Sequence, residues 1–188
     1  LELSSFQMEF TSSFHPSMAV YTNISEDHLD RHKSMAEYIE MKKRLSANFT
    51  KRNIVIFNKD DEILKSMFEK TKFKTLSFGI NSTDNKFYIS KGFIYRKESN
   101  ELVLKIEDLK IKGRHNILNC LAAATCADAF GISVEKIRNV LKTFKGISHR
   151  TEYVLSKDGV DYINDSKATN INSVAVALKT YANPIILL

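Results

Sequence analysis

The order in which apolar segments of two periods succeed one another between residues 18 and 79 constrains the fold most. Residues 18–24 form a short apolar run that closes on Asn23 and a polar loop, 25–32. Ser34 with Glu37 three residues on has the form of a capping box, and Met35, Tyr38, Ile39, Leu45 and Phe49 continue as a helical stripe. Residues 53–57 are a strand carrying Ile54, Val55 and Ile56; 60–70 a helix; 75–78 a strand that stops at Gly79. Strand, helix, strand, helix, strand predicts a parallel sheet with crossover helices.

The pattern then changes. Residues 86–90, 93–97 and 102–106 alternate at period two, with Lys91-Gly92 and Ser99-Asn100 between them as tight turns. They predict a small antiparallel sheet. An Ala-rich helix follows over 116–130, ended by Gly131 as C′ residue. Ser133 caps the next helix, whose expected buried face is Val134, Ile137, Val140, Leu141 and Phe144. Lys145-Gly146-Ile147-Ser148 reads as a boundary, which divides the chain into 1–147 and 148–188. Beyond it, strands 151–155 and 160–164 meet across Lys157-Asp158-Gly159. Helix 173–182 and an apolar strand, 184–188, complete an expected β-α-β, the opening of a second, Rossmann-like domain. The fold class is thus α/β. The start at Leu1-Glu2-Leu3 and the apolar end at 184–188 suggest an internal piece of a larger protein.

Composition narrows the function. An apolar fraction of 43% with 27% charged residues is a globular balance, and no run approaches the ~20 apolar residues of a membrane helix. Lys+Arg 28 against Asp+Glu 22 leaves +6; the scattered lysines and the absence of Trp speak against nucleic acid, and the charge fits either an ordinary lysine-rich surface or attraction for an anionic ligand such as a nucleotide. Cys120 and Cys126, six apart on one helix, are expected as reduced thiols.

Asp27-His28-Leu29-Asp30-Arg31-His32 places two carboxylates and two imidazoles just past a strand, where parallel sheets bind ligands. A metal site and a helix-capping polar loop both fit. Lys42 sits four after Tyr38 on the apolar stripe of its helix: either it snorkels, or burial lowers its pKa for use. The segment 164–170, Asn-Asp-Ser-Lys-Ala-Thr-Asn, leaves a strand and enters a helix, as ligand loops do. Arg114-His115-Asn116 opens a helix whose N–H groups suit an anion, and Arg150 after His149 can grip a phosphate bidentately. No glycine-rich phosphate loop is present.

Together these blocks resemble the Mur ligase family. They are Leu1 to Gln7, Asn23 with the Asp-His-Leu-Asp-Arg-His run, Tyr38 to Lys42, Gly113 to Asn116 with Asn119, His149-Arg150 with Glu152, and Asn164 to Asn170. The Ser-Ser-Phe-Gln start and the Asp-Ser-Lys-Ala-Thr-Asn loop point to its D-glutamate-adding (MurD) branch. The resemblance implies the second half of a central ATPase domain, with the phosphate loop outside this stretch, followed by the start of a C-terminal domain.

It further implies a cytoplasmic bacterial ligase of peptidoglycan precursor synthesis, monomeric at full length and without membrane insertion. That enzyme uses ATP and Mg²⁺, with Mn²⁺ as a substitute, to join D-glutamate to UDP-N-acetylmuramoyl-L-alanine through an acyl phosphate. By resemblance Glu2, His28 and a carbamylated Lys42 hold the metal, and His28 and Lys42 are catalytic. Asn116 and Asn119 read adenine, Arg150 meets a phosphate and Asp165 the ribose. Lys167 and Thr169 lie near the incoming amino acid, and Ser4 near the muramoyl substrate. His32 receives no role. The stretch alone is expected to be inactive. Two alternatives remain: a sibling ligase, Mur or folylpolyglutamate synthase-like, and a metal phosphohydrolase using Asp27, His28, Asp30 and His32.

Overall fold

A computed structural model describes residues 1–27, 31–169 and 171–188. Helix α1 (Ser5–Glu9) precedes β1 (Met18–Tyr21), α2 (Met35–Lys43), β2 (Ile54–Asn58), α3 (Glu62–Phe68) and β3 (Lys74–Phe78). The three strands pair in parallel in the order β1-β2-β3, with Val20 opposite Ile56 and Ile56 opposite Leu76. The predicted alternation therefore closes into one sheet. Burial follows its pleat. Val55 and Phe57 face α2 and α3 with Ala19, Tyr21, Tyr38, Leu64 and Phe68. Ile56 and Phe78 face the other way, into a second core with Leu121, Ile137 and Leu141. Strand β2 is buried on both sides, as a central parallel strand must be.

The antiparallel sheet forms as expected from β4 (Phe87–Ser90), β5 (Phe93–Arg96) and β6 (Glu101–Lys105). Its first turn carries Lys91 at φ 49° and Gly92 at φ 82°, the two positive angles of a type I′ hairpin turn. Phe87, Ile94, Val103 and Leu104 bury its inner face in the second core, under α4 (Arg114–Ala129) and α5 (Val134–Thr143). Asp128, near the end of α4, locks the sheet to the helix. Its 5% exposed side chain lies 2.8 Å from Lys86 Nζ and 2.8 Å from Arg96 Nε. Gly131 adopts φ 78° after α4, and Ser133 Oγ accepts from Lys136 N, both as predicted.

Three local expectations change. Val140 and Phe144 are 61% and 43% exposed, so the buried face of α5 narrows to Val134, Ile137 and Leu141. The helix is short, and only one side of it meets β6 and α4. Glu37 accepts from the N–H of Lys33 (2.8 Å) rather than from that of Ser34, so the capping box is one residue out of step. Past the boundary, β7 (Glu152–Lys157) and β8 (Val160–Asn164) form an antiparallel hairpin, and α6 (Ile171–Leu178) follows. Residues 184–188 form no strand: Ile186 is 87% exposed and has no neighbouring strand to pair with among the described residues. An apolar run becomes a strand only where a second strand can take its N–H and C=O groups.

Candidate functional site

Because β1, β2 and β3 are parallel, their carboxyl ends, Tyr21, Asn58 and Phe78, share one edge. Paired acidic residues knit the loops at that edge. Asp61 Oδ2 accepts from Ile24 N at 2.8 Å, which fixes the exit of β1 to the start of α3. Asp60 Oδ2 accepts from Ile80 N at 2.7 Å, just past β3. Arg114, the first residue of α4, reaches Asn81 Oδ1 at 3.4 Å and Asp60 Oδ2 at 3.9 Å. The N-terminus of α4 therefore stands at the same edge, where open α/β sheets bind their ligands.

One group of candidates gathers around Lys42. Helix α1 starts at a capping box: Ser4 Oγ accepts from Gln7 N at 3.3 Å, and Gln7 Oε1 accepts from Ser4 N at 2.8 Å. Ser4 thus spends its hydroxyl partly on the helix, and Glu2 lies two residues before it, exposed. Lys42 is half-buried, with Nζ 5.5 Å from the centroid of the Tyr38 ring, one turn earlier on α2. Burial pushes its pKa below the usual lysine range, while the carboxylates of Asp27 and Glu2 pull the other way. His28 and Asp30 lie outside the described residues.

The Glu2 and Asp27 carboxylates both act on the half-buried Lys42 amine, and carboxylate oxygens are the donor type Mg²⁺ prefers. Among the described residues alone, no three His, Cys, Asp or Glu side chains converge as a metal site. Of the expected metal-holding residues, Glu2 and Lys42 are described, with the Asp27 carboxylate acting on the same amine. His32, which the phosphohydrolase alternative needs as a ligand, is only 2% exposed, and its Nε2 lies 2.9 Å from Ser5 Oγ. It is part of the core.

A second group forms where α4 begins. Gly113, at φ 95°, caps the helix, and a Cβ there would stand 2.8 Å from Thr180 Oγ1 and 2.9 Å from His115. Glycine is required by both the angle and the close approach. Asn116 Nδ2 donates to Lys112 O at 2.8 Å, and its Oδ1 accepts from Asn119 Nδ2 at 3.5 Å, so the two candidate adenine readers are neighbours. Burial lowers the His115 pKa, and the Asp165 carboxylate opposes that shift across the gap to the loop after β8.

Asp165 Oδ1 accepts from Thr151 N at 2.8 Å, and Lys167 N donates to His149 O at 3.0 Å. The boundary segment and the 164–169 loop, separate in sequence, are therefore one unit. Thr151 sits at φ 47° and His149 at φ 68°. A β-branched residue in the left-handed region carries strain, which clusters at functional sites. The side chains of Arg150, Lys167 and Thr169 are exposed. Thr169 borders an open groove of ≈ 470 Å³ lined with Ile171, Val174 and Leu178 on α6.

The family model of the Mur ligase middle domain matches residues 1–127. The chain belongs to the Mur ligase family. Two curated relatives align with all of it. The UDP-N-acetylmuramoylalanine–D-glutamate ligase of Caldanaerobacter subterraneus is 38% identical over 188 residues, and that of Clostridioides difficile 40% identical over 196. The chain spans 41% and 42% of their lengths. Among solved structures, UDP-N-acetylmuramate–alanine ligase MurC of Thermotoga maritima superposes with a TM-score of 0.70 over 94% of this chain and 40% of its own, at 22% identity. MurF of Thermotoga maritima, in complex with ADP, gives 0.68 over 88% of this chain and 39% of its own, at 18% identity. These two establish the Mur ligase fold. Sequence reasoning gave His32 no role in the ligase, marked His115 only as part of the 114–116 helix start, and did not single out Asp60. Their partners, Ser5, Asp165 and Arg114, lie 27, 50 and 54 positions away, and no local pattern marks them.

Proposed function

We propose that this chain carries the second half of the ATPase domain, residues 1–147, and the start of the C-terminal domain, 148–188, of an ATP-dependent ligase that adds D-glutamate to UDP-N-acetylmuramoyl-L-alanine. The observation that carries this reading is Lys42: a half-buried amine, lowered in pKa, under the influence of Glu2 and Asp27, on a residue whose backbone O accepts from the hydroxyl of Tyr21, the last residue of β1, at 3.3 Å. Similarity along all 188 residues to D-glutamate ligases supports the choice of branch.

The reaction is two transfers. A carboxylate oxygen of the muramoyl-alanine attacks the γ-phosphorus of ATP, and the bond to ADP breaks. The D-glutamate amine then attacks the acyl carbon, loses a proton, and phosphate departs. Bound Mg²⁺ supplies charge neutralisation for the phosphates. The protein positions the partners and holds charge. Glu2, His28 and Lys42 would hold the metal. The neutral amine of Lys42 adds CO₂ and loses a proton to become a carbamate, and a lowered pKa provides that neutral form at lower pH. Asn116 and Asn119 present amides that donate and accept at the adenine edge. Arg150 faces a phosphate, Asp165 the ribose, Lys167 and Thr169 the D-glutamate, and Ser4 the muramoyl substrate.

The test uses the full-length protein. ADP and phosphate should be released only when UDP-N-acetylmuramoyl-L-alanine and D-glutamate are both present. Turnover with a different amino acid in place of D-glutamate would move the protein to a sibling branch. Release without any acceptor would sink the ligase reading.

A further inference from the structure

Five side chains, one from α1, two from the loop before α2 and two from α2, form a continuous stack that ends at Lys42. Arg31 Cζ lies 5.3 Å from the centroid of Phe6. The Phe6 and His32 rings stack at 5.6 Å with 24° between their planes, and His32 meets Tyr38 at 5.4 Å. Tyr38 in turn lies 5.5 Å beneath Lys42 Nζ. At the centre, His32 and Ser5 are 2% and 0% exposed and share a hydrogen bond of 2.9 Å.

This stack joins the two pieces of chain that the site needs. Ser5 begins α1, three residues after Glu2 and one after Ser4. Tyr38 and Lys42 lie one turn apart on α2. At the far end of α1, Arg44 Nη1 donates to Met8 O and Glu9 O and ties α1 to α2. At the near end the tie is Ser5–His32. A flat ring fits between Phe6 and Tyr38, and only a ring with a polar nitrogen also satisfies the buried Ser5 hydroxyl.

We propose that His32 is a positioning residue for the carbamate on Lys42: it sets where the Glu2 end of α1 stands relative to the Lys42 amine. The proposal rests on the ligase reading above. Losing a residue that orients a metal ligand commonly costs about 10- to 100-fold in activity or metal affinity.

The experiment takes the full-length enzyme under ¹³C-bicarbonate and follows the carbamate carbon by NMR, its assignment fixed by disappearance in Lys42→Ala. His32→Phe keeps the stack and drops the hydrogen bond; His32→Gln keeps a donor at that reach. His32→Phe should lower carbamate occupancy at fixed bicarbonate and reduce kcat, leave the KM for ATP unchanged, and be partly rescued by added bicarbonate. His32→Gln should recover most of the occupancy. Ser5→Ala should repeat the loss, and it decides alone if His32→Phe fails to fold. Full occupancy and kcat in both His32→Phe and Ser5→Ala, or a lowered melting temperature with occupancy intact, overturns the proposal. If the wild-type enzyme shows no Lys42-dependent signal, the carbamate reading itself is wrong and this proposal falls with it; a normal wild-type signal with unaffected variants overturns His32 alone.

Discussion

Lys42 Nζ stands 5.5 Å from the centroid of the Tyr38 ring, one helical turn away, so the amine rests on an aromatic face while Asp27 and Glu2 act on it from elsewhere. The ring favours the ammonium form, burial the neutral one, and burial prevails in the lowered pKa. Lys42→Ala should remove most activity of the full-length enzyme, with partial rescue by short carboxylates that reoccupy the vacated space. Lys42→Arg should not restore it, because a guanidinium forms no carbamate. Wild-type rates in the arginine variant, measured as ADP release, would exclude that role.

The same shift fixes a pH dependence. A lysine with a lowered pKa gives up its proton at lower pH than a free lysine, and only the neutral amine captures CO₂. At constant dissolved CO₂, carbamate occupancy should rise with pH, and the rise should come at lower pH than for a free lysine amine under the same CO₂. A rise no earlier than that of the free amine at the same CO₂ would show that burial does not govern this amine.

Asp165 has two tasks to separate. Its carboxylate holds the Thr151 N–H at 2.8 Å, and it faces His115 at the start of α4. Asp165→Ala should raise the KM for ATP more than that for D-glutamate, whereas Thr169→Ala, at the α6 groove, should do the reverse. The loss of one hydrogen bond to a charged group is worth roughly 1.5–3 kcal/mol, or about 10- to 150-fold in binding. Asp165→Asn keeps an acceptor for Thr151 and should retain the melting temperature that Asp165→Ala lowers. Steady-state kinetics with each substrate varied, alongside thermal melts, give the answer. Equal effects of the two alanine changes on both substrates would mean that the loop acts as one structural unit.

The Asp128 lock should matter for stability and not for chemistry. Asp128→Ala leaves the Lys86 ammonium, 14% exposed, without its carboxylate on α4 and should cost about 1–3 kcal/mol in denaturant unfolding. A change under ~0.5 kcal/mol would place it with ordinary surface pairs.

Thr151 at φ 47° offers the opposite case. A left-handed conformation costs a residue with a Cβ roughly 1–2 kcal/mol, which exceeds the ~0.5–1 kcal/mol entropy cost of glycine. Thr151→Gly should therefore raise the unfolding midpoint slightly. A clear drop would mean that the threonine side chain contributes more than its backbone costs.

Much of the fold was legible because its signals are local. Period-two and period-3.6 runs marked the parallel strands, their crossover helices and the antiparallel sheet. Ser34, Gly92, Gly131 and Ser133 marked turns and caps through chemistry confined to a few residues. The sequence by itself also marked the candidates for chemistry, Lys42 on an apolar stripe and Asp165 after a strand among them. Only the tertiary structure decided what these groups meet. His32 finds Ser5 across 27 positions, Arg114 finds Asp60 across 54 at the carboxyl edge of the parallel sheet, and Asp165 closes on Thr151 at the open end of the antiparallel β7–β8 hairpin. The expected strand at 184–188 marks the same limit from the other side. Apolar composition makes a segment ready to pair, but hydrogen bonds to a neighbouring strand make it a strand.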